Sequence, residues 1–475
     1  MTSFSISGID RPAPARRAAR KDQTAVNNGL FIGLMTVAAL VPLPLASNRP
    51  ILWSVLAIVL GLMTTAYIAI LRLKGGELRM ELRDLVLPAI PFAALVLVLL
   101  VQLVPFGDWL GWHFEVQTPR GTIALNTLSV APGMTWLMLL RQLSFGLFLF
   151  LMLQTLANET RRPRMLDILL GITIAYGGYA LISLQSGDTI LGMEKWAYEG
   201  SATGTFVNRN SFATFASMGA AIAAVQLASR LVEQSHRHAD DGRVIGNASA
   251  VVLYGICFMF LFTVVVLTQS RMGLAACLVG STAGFVITMT KAQGSLRPII
   301  LAAGGVGGLL LLLFTAMLAG DDLLSRAVDL DNDTNVRGNL YAQILQLIQL
   351  RPLTGWGGGT FEQAFPVVHQ LPVNADLIWV RAHNTYLALW TELGVAAGSI
   401  VILSVAGAAL LIARQFARSK SRMDIAPQAA SLAVIVIAAV HSTVDFSLEI
   451  AANTILFLAV LAGGLATLWY PVRRS

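Results

Sequence analysis

The side chains best suited to chemistry in this 475-residue sequence are a set of arginines and one histidine, each at the edge of an apolar run. Arg271 stands in Thr268-Gln269-Ser270-Arg271-Met272-Gly273, between two apolar stretches and at the start of the second. The free N–H groups and dipole of a helix N-terminus favour an anion, and a guanidinium beside them would complete a phosphate seat. An interfacial arginine reaching to lipid headgroups is the structural alternative. Arg337, just ahead of an amphipathic stretch, can bring a second guanidinium to the same anion or stand as a solvated loop cation. Arg351, Arg381 and Arg209 are further cations able to serve in its place. His383 lies in Arg381-Ala382-His383-Asn384-Thr385-Tyr386-Leu387, where a long polar segment re-enters an apolar one. An imidazole titrates near neutrality, so there it can take a proton from an attacking hydroxyl, or simply cap the next helix. His441, ahead of Ser442 and Asp445 in an apolar run, reads as a hydrogen-bonding group between helices.

These groups need a scaffold, and composition says which. Of the residues, 56% are hydrophobic and 12% charged, against roughly 25% charged in soluble domains. Runs such as Ile51 to Leu71 and Val251 to Leu267 approach the roughly 20 residues that cross a bilayer as helix. The expected fold is an all-α polytopic membrane protein of about a dozen transmembrane helices, near 28–46, 51–71, 84–104, 135–157, 165–184, 211–229, 248–268, 272–290, 298–318, 385–413, 428–446 and 452–471. Most Lys and Arg fall in alternate connectors, among them Arg16, Lys21, Arg72, Lys74, Arg79, Arg161, Arg162, Arg230, Lys291, Arg414 and Arg473. The positive-inside rule then puts both termini in the cytoplasm and the candidate site on the periplasmic face. The first apolar run follows a polar tail of 27 residues and reads as an uncleaved helix, although Ala46-Ser47 leaves a cleavage site conceivable.

Two outer segments are long, about 105–134 and 319–384, and the second exceeds a connector. Within it, Leu340, Ile344, Leu345, Leu347 and Ile348 predict a short amphipathic helix over 339–349 at the membrane surface, and Gly355 to Gly359 an irregular backbone. The organisation expected is a cytoplasmic tail over 1–27, N-terminal transmembrane helices over 28–200, a core over 201–413 that includes the loop 319–384, and C-terminal transmembrane helices over 414–475.

Several patterns point away from other functions. The net charge of +7 reports topology rather than nucleic-acid binding, because the cations sit in connectors. Asp329, Asp331 and Asp333 lack the glycine and terminal glutamate of a calcium loop, whose places hold Thr334 and Leu340. Gly355-Trp356-Gly357-Gly358-Gly359-Thr360 has no P-loop lysine. His236, His238, Asp240 and Asp241 form a charged connector. Cys257 and Cys277 lie in apolar runs, as small hydrophobes.

In ordered motifs, residues of about 200–405 resemble the O-antigen ligase and O-antigen polymerase superfamily of bacterial membrane glycosyltransferases. The motifs are Thr205-Phe206-Val207-Asn208-Arg209-Asn210-Ser211-Phe212-Ala213, Gln269 to Gly273, Arg337 followed by Arg351-Pro352-Leu353-Thr354-Gly355-Trp356-Gly357-Gly358-Gly359-Thr360-Phe361, and Ala382 to Leu387 leading to Glu392-Leu393-Gly394. The first 200 residues match in helix count alone. The resemblance implies a glycan donor on undecaprenyl diphosphate in the outer leaflet of the inner membrane, and transfer to an acceptor hydroxyl without a metal, cofactor or nucleotide sugar. It puts Arg271 and Arg337 on the diphosphate and His383 on the acceptor, with Asn208, Arg209, Asn210 and Asn384 bordering the same chamber. The leading expectation is an inverting O-antigen ligase acting on lipid A-core oligosaccharide. A polymerase for O-antigen or exopolysaccharide is the nearest alternative, then a protein O-glycosyltransferase, and a polysaccharide flippase or transporter is the rival of another class. Transporters usually carry internal repeats and midplane polar groups, whereas here the unusual residues gather at one surface.

Overall fold

The computed structural model describes residues 13–118, 121–241, 248–292, 323–374, 376, 378–419 and 421–470. In chain order the helices are α1 Ala13–Leu40, α2 Pro50–Leu73, α3 Leu82–Leu103, the short α4 Phe106–Leu110, α5 Pro132–Leu156, α6 Arg161–Gln185, α7 Arg209–Asp241, α8 Ala248–Leu267 and α9 Arg271–Met289. They continue with α10 Leu323–Leu350, α11 Phe361–Ala364, α12 Thr385–Leu393, α13 Val395–Arg418, α14 Arg422–His441 and α15 Ala451–Trp469. Two antiparallel hairpins interrupt them, β1 Phe114–Thr118 with β2 Gly121–Leu125, and β3 Thr189–Ile190 with β4 Met193–Glu194. The protein is all-α and polytopic: among the described residues, ten helices are long and apolar enough to cross a membrane. The helix expected over 298–318 lies outside the described residues.

Small side chains set the packing of the bundle. In lipid, helices associate through close contact rather than hydrophobic exclusion, so Gly and Ala at the seams matter most. The middle helix α7 is lined with them, and almost all of its apolar stretch is buried. A Cβ on Gly273 would lie 2.5 Å from that of Ala213, and one on Gly284 would lie 2.8 Å from Val225 Cγ2. Both residue numbers rise together along this seam, so α7 and α9 run parallel and begin at the same end of the bundle. Along the same glycine stripe, a Cβ on Gly280 would come within 2.2 Å of Ile437 Cγ1 of α14, so α9 is wedged between α7 and α14 there. Polar groups inside the bundle are satisfied by one another: Asp167 accepts hydrogen bonds from Gln226 (2.6 Å) and Tyr254 (2.8 Å), and buried Arg162 pairs with buried Asp424. An unpaired charge at such depth is expensive, so these pairs fix helix register.

Two expectations need correction. The amphipathic stretch 339–349 belongs to the longer helix α10, and its apolar face does not lie on a membrane surface. Leu340, Ile344 and Leu347 are buried against Trp356, Phe361 and Phe365, forming a second small core above the bundle. The stretch 385–413 is also two helices, α12 and α13, broken at Gly394. The cause is a crossing of backbones. Gly394 (φ 82°) and Gly355 (φ 64°) each stand where a Cβ would meet a main-chain oxygen, Leu353 O at 2.3 Å and Glu392 O at 2.4 Å respectively. The glycine-rich turn is therefore irregular as the sequence predicts, and the reason is close approach. Its N–H groups are answered from within the protein, Gly359 N–H by Glu392 Oε2 (2.7 Å) and Gly358 N–H by Gln102 Oε1 (3.0 Å), which leaves no phosphate cradle.

Candidate functional site

Helix starts and one turn carry the site. Asn208 caps α7: its Oδ1 accepts from Asn210 N–H (2.7 Å) and Ser211 N–H (3.2 Å), satisfying donors that a helix start leaves free. Its amide nitrogen donates to the Tyr198 hydroxyl at 3.2 Å. The Arg209 guanidinium lies 5.3 Å over the Tyr198 ring, and its buried Nε has no hydrogen-bond partner. Asn210 turns to Asp445, in the turn between α14 and α15. Burial pushes the Asp445 carboxyl up to about 7, against the lowering influence of Ser447, Asn210 and Arg337.

His383 sits beside that turn. Its backbone takes a left-handed conformation (φ 50°), unusual for a residue with a Cβ, and the surroundings hold it there. The Tyr341 hydroxyl donates to His383 O (2.8 Å), Asn384 Nδ2 donates to Thr443 O (2.8 Å), and Thr385 Oγ1 donates to Asp445 O (2.9 Å). Arg381 pairs with Glu449 at 3.3 Å. Phe446 and Trp379 approach the imidazole edge to face, with centroids at 5.1 and 6.0 Å. Burial first, then the positive charges of Arg337 and Arg381, lower the His383 pKa to about 4. A neutral imidazole is one that can accept a proton.

Arg337, half-buried on α10, is the electrostatic centre of this end. Its charge reaches His383, Asp445, Tyr198 and Tyr341. It makes no hydrogen bond or ion pair among the described residues, so its guanidinium is available to an anion.

The candidate residues thus divide. Asn210 hydrogen-bonds Asp445, the charge of Arg337 acts on both Asp445 and His383, and Arg209 lies over Tyr198 at the same end; Asn384 adjoins His383 with both polar atoms engaged, Oδ1 capping α12 through Leu387 N–H at 3.0 Å. Arg271 is at the first position of α9, exposed, behind the Ser270 cap that accepts from Gly273 N–H (3.2 Å). It shares its end of the bundle with Arg209, because α7 and α9 start together, yet no hydrogen bond, ion pair or ring contact joins it to His383 or Arg337. Arg351 is elsewhere, buried at the end of α10 with its guanidinium 5.4 Å over Trp356. His441 bridges helices as expected, its Nδ1 2.9 Å from Thr214 Oγ1 and 3.8 Å from Asp445 Oδ2.

Sequence reasoning passed over Tyr198, Tyr341 and Asp445. Only the last had a signal, an acid at the mouth of an apolar run, and its partner Asn210 is more than 200 residues away. Among the described residues, no three His, Cys, Asp or Glu side chains gather as a metal site would require. The arrangement offers fixed cations for an anion next to a neutral imidazole for a proton, as group transfer from a phosphate ester requires.

No curated protein matches the chain. Residues 256–402 match the family model Wzy_C, described as O-Antigen ligase, a stretch holding Arg271, Arg337 and His383 but neither Asn208 to Asn210 nor Asp445. Over those residues, less than half of its length, the chain is similar to the O-antigen ligase family.

Proposed function

We propose that this protein is an O-antigen ligase, which moves a glycan from undecaprenyl diphosphate to a hydroxyl of lipid A-core oligosaccharide at the periplasmic face of the inner membrane. The observation that carries the reading is, at one end of the bundle, the buried His383 imidazole within electrostatic reach of Arg337, a guanidinium with no hydrogen bond or ion pair among the described residues. The opposite end, reached by the far termini of α2, α5 and α15, holds Arg72, Lys74 and Arg161, which supports a cytoplasmic assignment for it.

The chemistry follows from those groups. The acceptor oxygen attacks the anomeric carbon from the face opposite the leaving group, and the carbon–oxygen bond to the diphosphate breaks, its electron pair leaving with the phosphate oxygen. An imidazole nitrogen of His383 takes the hydroxyl proton. Arg337, with Arg271 and Arg209 as the other cations of that end, offsets the charge that develops on the diphosphate. The new bond has the inverted configuration.

Purified full-length protein given a polyprenyl-diphosphate-linked glycan and lipid A-core should form the glycosidic bond, and His383→Ala or Arg271→Ala should abolish it. Movement of donor across a vesicle membrane without a new bond would defeat the reading in favour of transport. Deleting the gene separates the acceptors: ligase function leaves polymer on undecaprenyl diphosphate, whereas single repeats would establish a polymerase.

A further inference from the structure

The end of the bundle remote from His383 holds a polar cavity of about 820 Å³. Its remoteness follows from the helices that form it. α5 starts beside the glycine-rich turn and reaches the cavity through Gln154, and α15 has Asn453 in its first turn, which donates to Ser447 O, and reaches the cavity through Trp469. Arg79, Glu159, Arg161 and Tyr470 complete the charged and aromatic lining.

The protein builds this cavity around Arg79. Gln154 Oε1 accepts from the N–H groups of Arg79 (2.8 Å) and Met80 (3.1 Å), Gln154 Nε2 donates to Met80 O (3.0 Å), and the Tyr470 hydroxyl donates to Arg79 O. Two segments distant in sequence thus pin one short stretch of connector, while the guanidinium that it carries is exposed and has no partner among the described residues. Arg161 is buried, and its bonds go to neutral acceptors, Asn28 Oδ1 at 2.7 Å and Thr155 O at 2.8 Å. Its charge therefore has no ion pair among the described residues. Among the lining residues themselves, two guanidiniums and the carboxylate of Glu159 leave a single net positive charge, with Asp84 and Glu81 acting on Tyr470 from the connector beside it. Trp469 and Tyr470 at the rim are the side chains that favour the headgroup level of a bilayer.

We infer that this cavity binds the headgroup of a glycerophospholipid through its phosphate. A phosphodiester carries one negative charge, which matches the lining, whereas a phosphomonoester carries nearly two. The acyl chains would remain in the bilayer beside α1 and α15. Basic pockets between helices at an inner membrane surface are suited to such headgroups. The site is separate from glycan transfer and holds whether or not that reading survives.

The test uses the full chain, delipidated in detergent, with lipid retention read by native mass spectrometry. Dioleoyl-phosphatidylglycerol should be retained at one molecule per chain, while dioleoylglycerol, which lacks the phosphate, should not. Inorganic phosphate at equal concentration should fail to displace the lipid, since it has no anchor in the bilayer region. Arg79→Ala should weaken retention about five-fold, as one cation at a headgroup contact would, with Arg79→Lys retaining most of it and Glu159→Gln strengthening it. The melting temperature without lipid should be the same for wild type and Arg79→Ala, because that side chain makes no bond among the described residues. Equal retention of dioleoylglycerol, displacement by inorganic phosphate, or unchanged retention in Arg79→Ala would each overturn the assignment.

Discussion

Replacing Arg337 with glutamine should separate two jobs that its charge performs at once. The first is electrostatic: removing one preorganised donor aimed at a developing oxyanion costs about 10²–10³-fold in rate. Arg337→Gln should therefore lower glycan transfer by that factor at neutral pH. The second is its hold on His383. Burial is the main cause of the low pKa of about 4, followed by the positive charge of Arg337 and then that of Arg381. Losing one cation stabilises the imidazolium, so the pKa rises, while burial and Arg381 keep it below the ordinary 6.5. Protonated His383 cannot accept a proton, so activity is lost as pH falls through this value. The acid limb of kcat/KM should thus move upward in Arg337→Gln, and stop short of 6.5. The assay is the initial rate of transfer from a purified polyprenyl-diphosphate-linked glycan between pH 4 and 8, followed by mass spectrometry of the product. A variant within three-fold of wild type at pH 7, or an acid limb that does not move, would refute the assignment of Arg337 to both tasks.

Three further outcomes follow from the same geometry. Tyr341→Phe removes the hydroxyl that holds His383 O at 2.8 Å; it should lower kcat by about ten-fold with little change in KM, because a misplaced base slows chemistry rather than binding. Gly355→Ala puts a Cβ 2.4 Å from Glu392 O at φ 64°, so the melting temperature should drop by several degrees, equivalent to roughly 2 kcal/mol or more. Glu392 is held well above the ordinary carboxylate range by burial and by Glu449. The folded state binds more protons than the unfolded one between those two pKa values, so stability declines as pH rises through that window. Glu392→Gln, read by thermal unfolding, should therefore be more stabilising at pH 8 than at pH 5, by an amount on the order of 1 kcal/mol.

Much of the membrane architecture is legible because lipid imposes a coarse rule. Runs of apolar residues near span length become helices, and nearly every run expected among the described residues does so. The exceptions have local causes. The run over 385–413 is continuous in hydropathy, yet Gly394 breaks it, because a neighbouring backbone passes within contact of where a side chain would be. Periodicity announces the apolar face of α10, but cannot say whether lipid or protein covers it; Trp356 and Phe361 do. In the candidate site, His383 is legible as an imidazole where a polar segment re-enters an apolar one, and Arg337 through the resemblance. Tyr341 and Asp445 are not, since each is tied to a partner distant in sequence, His383 O for the first and Asn210 for the second.

That distance bears on what the family domain can do alone. The match to the O-antigen ligase model ends at residue 402, but the turn that holds His383 lies at 442–449. Thr443 O and Asp445 O receive the bonds that fix Asn384 and Thr385, Phe446 flanks the imidazole, and Glu449 anchors Arg381. Asn453 in turn ties Ser447 to Ser211 at the head of α7. The positive φ of His383 costs on the order of 1–3 kcal/mol, and the bonds that offset it come largely from beyond the matched segment. His383 and Arg337 thus lie in the matched segment, while the contacts that hold the histidine's surroundings come largely from the turn between the last two helices. Substitutions in that turn should behave as active-site changes although none of its residues bears the family's motif.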